Sequence, residues 1–188
     1  GIHCTIIRLP ILGGNSESGV IALQRYWFTQ ALRAMWLMKA VPAFPEPLQV
    51  VPVDYAAKVI VGLSQSKAPS GSAFHLTHPA GVSVEDVHLA FAELGRASRR
   101  VSIEEWTALV SARSEESQDE ELEYLSSFLL GANVAARAAE AAVKHLRFDR
   151  SNLERALGPH LPALPPAPEM VRRVLTFLQR NTQLDRHS

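Results

Sequence analysis

Hydrophobic positions come first in short runs and then at helical spacing. His3–Leu9 is an apolar stretch rich in β-branched residues that stops at Pro10, and it reads as a buried strand. A Gly- and Ser-rich loop follows over Gly13–Gly19. From about Ile21 to Ala40 most positions are apolar, with Arg25, Thr29 and Arg33 recurring every four residues. This pattern predicts a long helix with one narrow polar stripe, buried on several sides. It must stop before Pro42, Pro45 and Pro47. Leu48–Val53 reads as a short strand, and Asp54 is placed to cap a helix over Tyr55–Ser64. Ser72–Thr77 is the next strand. Beyond the Pro79-Ala80-Gly81 turn, Ser83 and Asp86 have capping-box spacing and open a helix that ends near Gly95. Arg99–Ile103 is a brief strand feeding a helix over Glu104–Ala112. Ser117–Leu146 is helical throughout, with a break expected at Gly131. Ser151 is the expected cap of a short helix ending near Gly158. Pro159–Pro168 is a connector, Glu169–Asn181 a last helix, and Gln183–Ser188 a frayed tail.

Helices outnumber strands, and the strands are short and scattered. The expected fold class is α/β, the last strands of a parallel sheet with a mostly helical lobe attached. Because the chain opens on a strand that reads as central and buried, it is expected to begin inside a larger domain.

Composition narrows the function classes. The 188 residues are 47% hydrophobic, and 19 Lys and Arg balance 19 Asp and Glu. A nucleic-acid binder would carry a basic excess, so none is expected. No apolar run is long enough to span a membrane, and Gly1–Cys4 does not read as a signal peptide. The single cysteine, Cys4, has no internal partner, which fits a reducing cytoplasm.

Several familiar sites are missing. There is no Gly-rich dinucleotide turn and no P-loop, and Gly14-Asn15-Ser16-Glu17-Ser18 lacks the final glycine of a nucleophile elbow. His75 and His78, three apart on a strand, point to opposite faces and make a poor metal pair. Tyr55 and Lys58 stand three apart with Tyr55 at the helix start, whereas short-chain reductases use a Tyr and a Lys four apart on one helix face. They read as a packed tyrosine and a solvated lysine.

Other segments carry a resemblance. Ile7–Gly19 looks like the strand and loop that follow the catalytic helix in extended short-chain reductases. Val51-Pro52-Val53-Asp54-Tyr55-Ala56-Ala57 resembles a segment of the thioester reductase family. So do Phe74-His75-Leu76-Thr77-His78-Pro79 with Val82-Ser83, Val101–Trp106, and Phe148-Asp149-Arg150-Ser151-Asn152. The matches occur in family order. That family includes terminal reductase domains of nonribosomal peptide and polyketide synthases, and carboxylic acid reductases.

The resemblance implies residues 1–82 as the remnant of a Rossmann-like core, 83–182 as a helical substrate-binding lobe, and 183–188 as a tail. It implies an NADPH-dependent enzyme that takes an acyl or peptidyl thioester from a carrier protein's phosphopantetheine arm and releases an aldehyde or an alcohol. The Rossmann half and the Ser/Thr–Tyr–Lys set are not in this sequence, so this chain alone is expected to be inactive and to hold no cofactor. With that half present, Pro10, Ile11 and Leu12 would face the nicotinamide. Gly13, Gly14 and Gly19 permit unusual backbone angles, and without that half the loop is expected to be mobile.

Tyr26, Trp27, Met35 and Trp36 are candidate acyl-pocket residues, with Met38 beside them; core packing is the competing role. The acidic run from Glu115 to Glu123 reads as a solvated helix start and would repel an acidic carrier. Arg96, Arg99 and Arg100, or Arg172 and Arg173, are the docking candidates. Glu140 and Lys144 form a favourable helical pair. Two other readings stay open: a non-catalytic module that binds a carrier protein, and part of an extended short-chain reductase or epimerase acting on a nucleotide sugar.

Overall fold

A computed structural model describes residues 2, 4–44, 46–143 and 148–181, with 132–143 described as backbone alone. The expected α/β class is what the chain adopts, and every strand pair is parallel. β1 (Ile6–Arg8) pairs with β5 (Ala73–His75), β2 (Ile11–Gly13) with β4 (Val50–Pro52), and β3 (Ala40–Pro42) with β6 (Arg99–Val101). Parallel partners cannot be joined by a tight turn, and the crossovers supply the helices. These are α1 (Trp27–Met38), α2 (Val53–Ser64), α3 (Val84–Glu93), α4 (Ile103–Ser117), α5 (Glu120–Val143), α6 (Ser151–Leu157) and α7 (Ala167–Asn181).

The first strand is not the buried element its composition suggests. Ile6 and Leu9 are each 45% exposed. Among the described residues β1 is hydrogen-bonded along one side only, to β5. Its β-branched side chains therefore lie at an open sheet edge. His3, part of the expected strand, lies outside the described residues.

The first helix begins at Trp27 rather than Ile21. The Thr29 hydroxyl donates to the Ala22 carbonyl at 2.8 Å, and the Gln30 amide donates to the Leu23 carbonyl at 2.5 Å. These side-chain bonds satisfy carbonyls that a longer helix would have used itself. Arg25 takes φ 47°, in the left-handed region that interrupts a right-handed helix. The expected polar stripe is therefore dismantled: Arg25 is off the helix, Thr29 is buried, and Arg33 pairs with Asp119 at 2.6 Å. Lys39, also at positive φ, closes α1, and its N–H reaches the carbonyls of Met35 and Trp36. β3 follows at once, a strand that the pattern did not predict.

Helix ends correct three further expectations. Asp54 is inside α2 rather than its cap, which is Pro52, and its carboxylate is turned to Ser16. Gly131 does not break α5, which runs through it. A glycine in a helix interior costs about 1 kcal/mol, too little to stop a long helix. The break falls at Gln118 (φ 51°), and Asp119 then accepts from the N–H groups of Glu121 and Leu122 at 3.1 and 3.2 Å. Ser151 is the first residue of α6, and Asp149 accepts from its N–H and its hydroxyl. The capping box is as expected: Ser83 Oγ accepts from Asp86 N, and Asp86 accepts from Ser83 N at 2.7 Å. The Glu140–Lys144 pair and the Gln183–Ser188 tail lie outside the described residues.

Two apolar clusters hold the fold. The larger gathers Trp36, Phe91, Trp106 and the inner face of α7, including Val171, Leu175 and Leu178. It draws on residues from both sides of position 82. The smaller joins Val51, Tyr55, Val59, Phe74, Leu153 and Leu157. No helix among the described residues is long and apolar enough to cross a membrane.

Candidate functional site

A groove of about 780 Å³ opens where the chain leaves β1. One wall is Pro10, Ile11, Leu12 and Gly13, the run into and along β2. The other is the extended segment Val20–Ala22 with Tyr26 and Trp27 at the start of α1, and Val53 forms a lip. The volume lies within the range of small-molecule sites.

Two contacts set its shape. The Tyr26 hydroxyl donates to the Leu12 carbonyl at 2.6 Å and ties the walls together. Burial pushes the Tyr26 hydroxyl above the ordinary tyrosine range, against the opposing pull of its bond to Leu12. It therefore stays a neutral donor committed to that carbonyl. Trp27 stacks on Phe128 of α5, with ring centroids 5.3 Å apart and planes 10° from parallel. That contact brings α5 to the groove.

The loop behind the first wall is built, not slack. Asn15 Oδ1 accepts from Glu17 N, Ser18 N and Ser18 Oγ, each at 3.0 Å. Gly19, at φ 73°, lies so close to α7 that a Cβ there would be 2.1 Å from the Arg173 carbonyl oxygen. A Cβ on Gly14 would meet the Gly19 carbonyl oxygen at 2.6 Å. The loop is a tight turn pressed on the last helix.

Ser16 fastens the same loop to α2. Its N–H and hydroxyl each donate to the Asp54 carboxylate at 2.7 Å, and Lys58 Nζ stands 3.4 Å from it. Partial burial works to raise the Asp54 pKa. The two Ser16 bonds, a backbone N–H and Lys58 outweigh it, so the carboxyl sits below its ordinary value. A depressed folded-state pKa stabilises above the unfolded-state value of about 3.9 and is lost as pH falls through the folded one. Asp54→Asn is therefore expected to lower stability at neutral pH and to flatten the acid limb of a stability–pH curve below about pH 4. Urea midpoints from pH 7 to pH 2 check this, and parallel curves would remove Asp54 as a contributor.

The other sequence candidates lie elsewhere. Met35 and Trp36 are in the core and do not line the groove. Arg96 lies over the Trp36 ring, 5.1 Å from its centroid, and donates to the Trp36 carbonyl. Arg99 pairs with Glu105 at 2.6 Å, Arg100 with Glu85, Arg172 with Glu93 at 3.4 Å, and Arg173 with Glu169. Each acidic partner offsets a positive charge, and none of these arginines reaches the groove. Tyr55 is packed in the smaller core, while Lys58 points to Asp54. His75 meets Arg8 Nη1 at 3.3 Å and the Phe148 ring. His78 Nδ1 accepts from the N–H groups of Ala80 and Gly81 and so holds a turn. Sequence reasoning missed Val20, Ile21, Ala22 and Val53. Ile21 and Ala22 were hidden by reading them as helix.

Comparison with known proteins gives this geometry a context. No family model matches the chain. Over 131 residues it is 31% identical to a component of the linear gramicidin synthase of Brevibacillus parabrevis, a match that covers 70% of this chain and 2% of that protein. The terminal R domain from the myxalamid PKS-NRPS biosynthetic pathway superposes with a TM-score of 0.82 at 24% identity, covering 98% of this chain and 46% of that one. A thiolation-reductase di-domain from an archaeal non-ribosomal peptide synthetase gives 0.64 at 20% identity, covering 98% and 42%. The chain thus spans under half the length of these solved structures and shares their reductase-domain fold over that part. The resemblance read from the sequence is borne out.

Proposed function

We propose that this chain is the substrate-binding part of an NADPH-dependent thioester reductase, acting on an acyl or peptidyl group held on a carrier protein's phosphopantetheine arm. The observation that carries this reading is the uncharged groove beside Pro10, at the carboxyl end of a parallel strand. In open α/β sheets ligands gather at that end.

The residues present fit one end of the cofactor only. Pro10, Ile11 and Leu12 can wall a nicotinamide ring. Among the described residues lining the groove none is basic, and the first turn of α2 carries Asp54, whose charge would repel phosphates. The phosphate site and the Ser/Thr–Tyr–Lys set are assigned to a Rossmann-like half outside this sequence, and the open edge of β1 is where it would add. With Pro10, Ile11 and Leu12 walling its nicotinamide ring, bound NADPH would supply the hydride that reduces a thioester to an aldehyde with release of the arm as a thiolate. Tyr26, fixed on Leu12, has the role of shaping the groove rather than moving a proton. Arg99, Arg100 and Arg172 remain candidates for carrier docking, in competition with the acids they already pair.

The test compares two proteins. This chain is expected to oxidise no NADPH with an acyl-pantetheine thioester. The same chain preceded by the upstream coding sequence is expected to turn over. Turnover by the chain alone, or none by the longer protein, overturns the reading.

A further inference from the structure

The walls of the groove say what kind of acyl group it takes. Among the described lining residues Tyr26 alone has an ionisable side chain, and its hydroxyl is spent on the Leu12 carbonyl. Of the charges beside the lining residues in sequence, Asp54 is held by Ser16 and Lys58 and Arg8 meets His75, while Arg25 is exposed and does not line the groove. A carboxylate or an ammonium entering the groove would lose water and meet no charged side chain among the described lining residues. An alkyl or aromatic group would meet Ile11, Val20, Val53 and the Trp27 face instead, and would gain by leaving water. Val20 and Val53 are 50% and 43% exposed although apolar, which puts both at the open side. Trp27 is half-buried, while Trp36 and Trp106 are buried in the core.

Resting on the thioester reductase reading, we propose that the groove selects acyl groups that are uncharged over the stretch lying in it, and that Trp27 and Val20 are the specificity-determining residues. Trp27 offers a flat apolar face whose back is filled by Phe128. Val20 sits where an added side chain can reach the groove without entering the core.

The test is a titration of the 188-residue chain with three pantetheine thioesters of matched length: hexanoyl, adipoyl with a terminal carboxylate, and 6-aminohexanoyl with a terminal ammonium. Hexanoyl is expected to bind at least about tenfold tighter than either charged analogue, a difference that desolvation of one unpaired charge readily supplies. It is also expected to change the fluorescence of Trp27. Trp27→Ala should weaken hexanoyl binding. Should that variant fail to fold, Val20→Lys decides the matter, since Val20 is exposed and its replacement disturbs no core. Val20→Lys is expected to reverse the preference toward adipoyl, which structural damage would not do. Equal binding of all three thioesters, no binding of any to the folded chain, or an unchanged preference in Val20→Lys each overturns the proposal. NADPH oxidation by the longer protein is measured separately, so selectivity can fail while the reductase reading stands.

Discussion

Gly19→Ala is expected to lower the unfolding free energy by about 3 kcal/mol or more, among the largest single-residue effects in the chain. Two costs combine. The residue sits at φ 73°, where an L side chain is strained by roughly 1–2 kcal/mol. Its new Cβ would also lie 2.1 Å from the Arg173 carbonyl oxygen, a backbone atom that cannot turn aside. Either the loop lifts from α7 or the helix shifts, and contacts around Gly14 and Val174 are lost with it. Gly71→Ala is the matched control. Its φ is 87° but no atom lies within 4 Å of the new Cβ, so only the strain remains. Urea midpoints for the two variants separate clash from strain. Equal losses would mean that the loop does not press on the helix as described.

Trp36→Ala is expected to cost about 3–5 kcal/mol, the usual range for deleting a large buried aromatic. Trp36 is 1% exposed, meets Phe91 edge to face at 5.2 Å, and lies under the Arg96 guanidinium. The contacts cannot be recovered by collapse, because Phe91 of α3 and Arg96 both pack on the ring within the larger core. Trp36→Phe keeps the ring and most of the volume and should lose far less. Since ordinary domains have about 5–15 kcal/mol in total, the alanine variant should melt well below the parent protein. A mild effect would instead favour the pocket role that the sequence left open for this residue. Thermal melts followed by circular dichroism answer the question.

These residues also mark what was legible in the sequence. Capping at Ser83 is local chemistry within four residues, so it could be read directly. Strands β1, β4, β5 and β6 were visible as short apolar runs, and most helices in helical spacing, while β2 and β3 were not. The helix start at Trp27 was not visible. Thr29 and Gln30 reach back seven residues to hold Ala22 and Leu23, and an apolar run looks the same whether it is helical or extended. The groove was half legible: Pro10–Leu12, Tyr26 and Trp27 were named, while Val20 and Val53 were not. Ser16 and Asp54 are 38 residues apart, and nothing in either neighbourhood announces that they meet. Met35 and Trp36 stood with Trp27 as pocket candidates because one helix carries all three. The packing of α3 and α7 then claimed the first two for the core.

The seating of Gly19 on Arg173 has a consequence for how the site comes into being. The glycine turn is made early in synthesis, whereas the helix it rests on is made much later. Until α7 has left the ribosome, the turn lacks the helix that Gly19 rests on, and the wall formed by Pro10–Gly13 is held only by β4 and by the Ser16–Asp54 tie. The groove is therefore a late product of folding, and a nascent chain still short of α7 would offer an acyl group no finished place to bind.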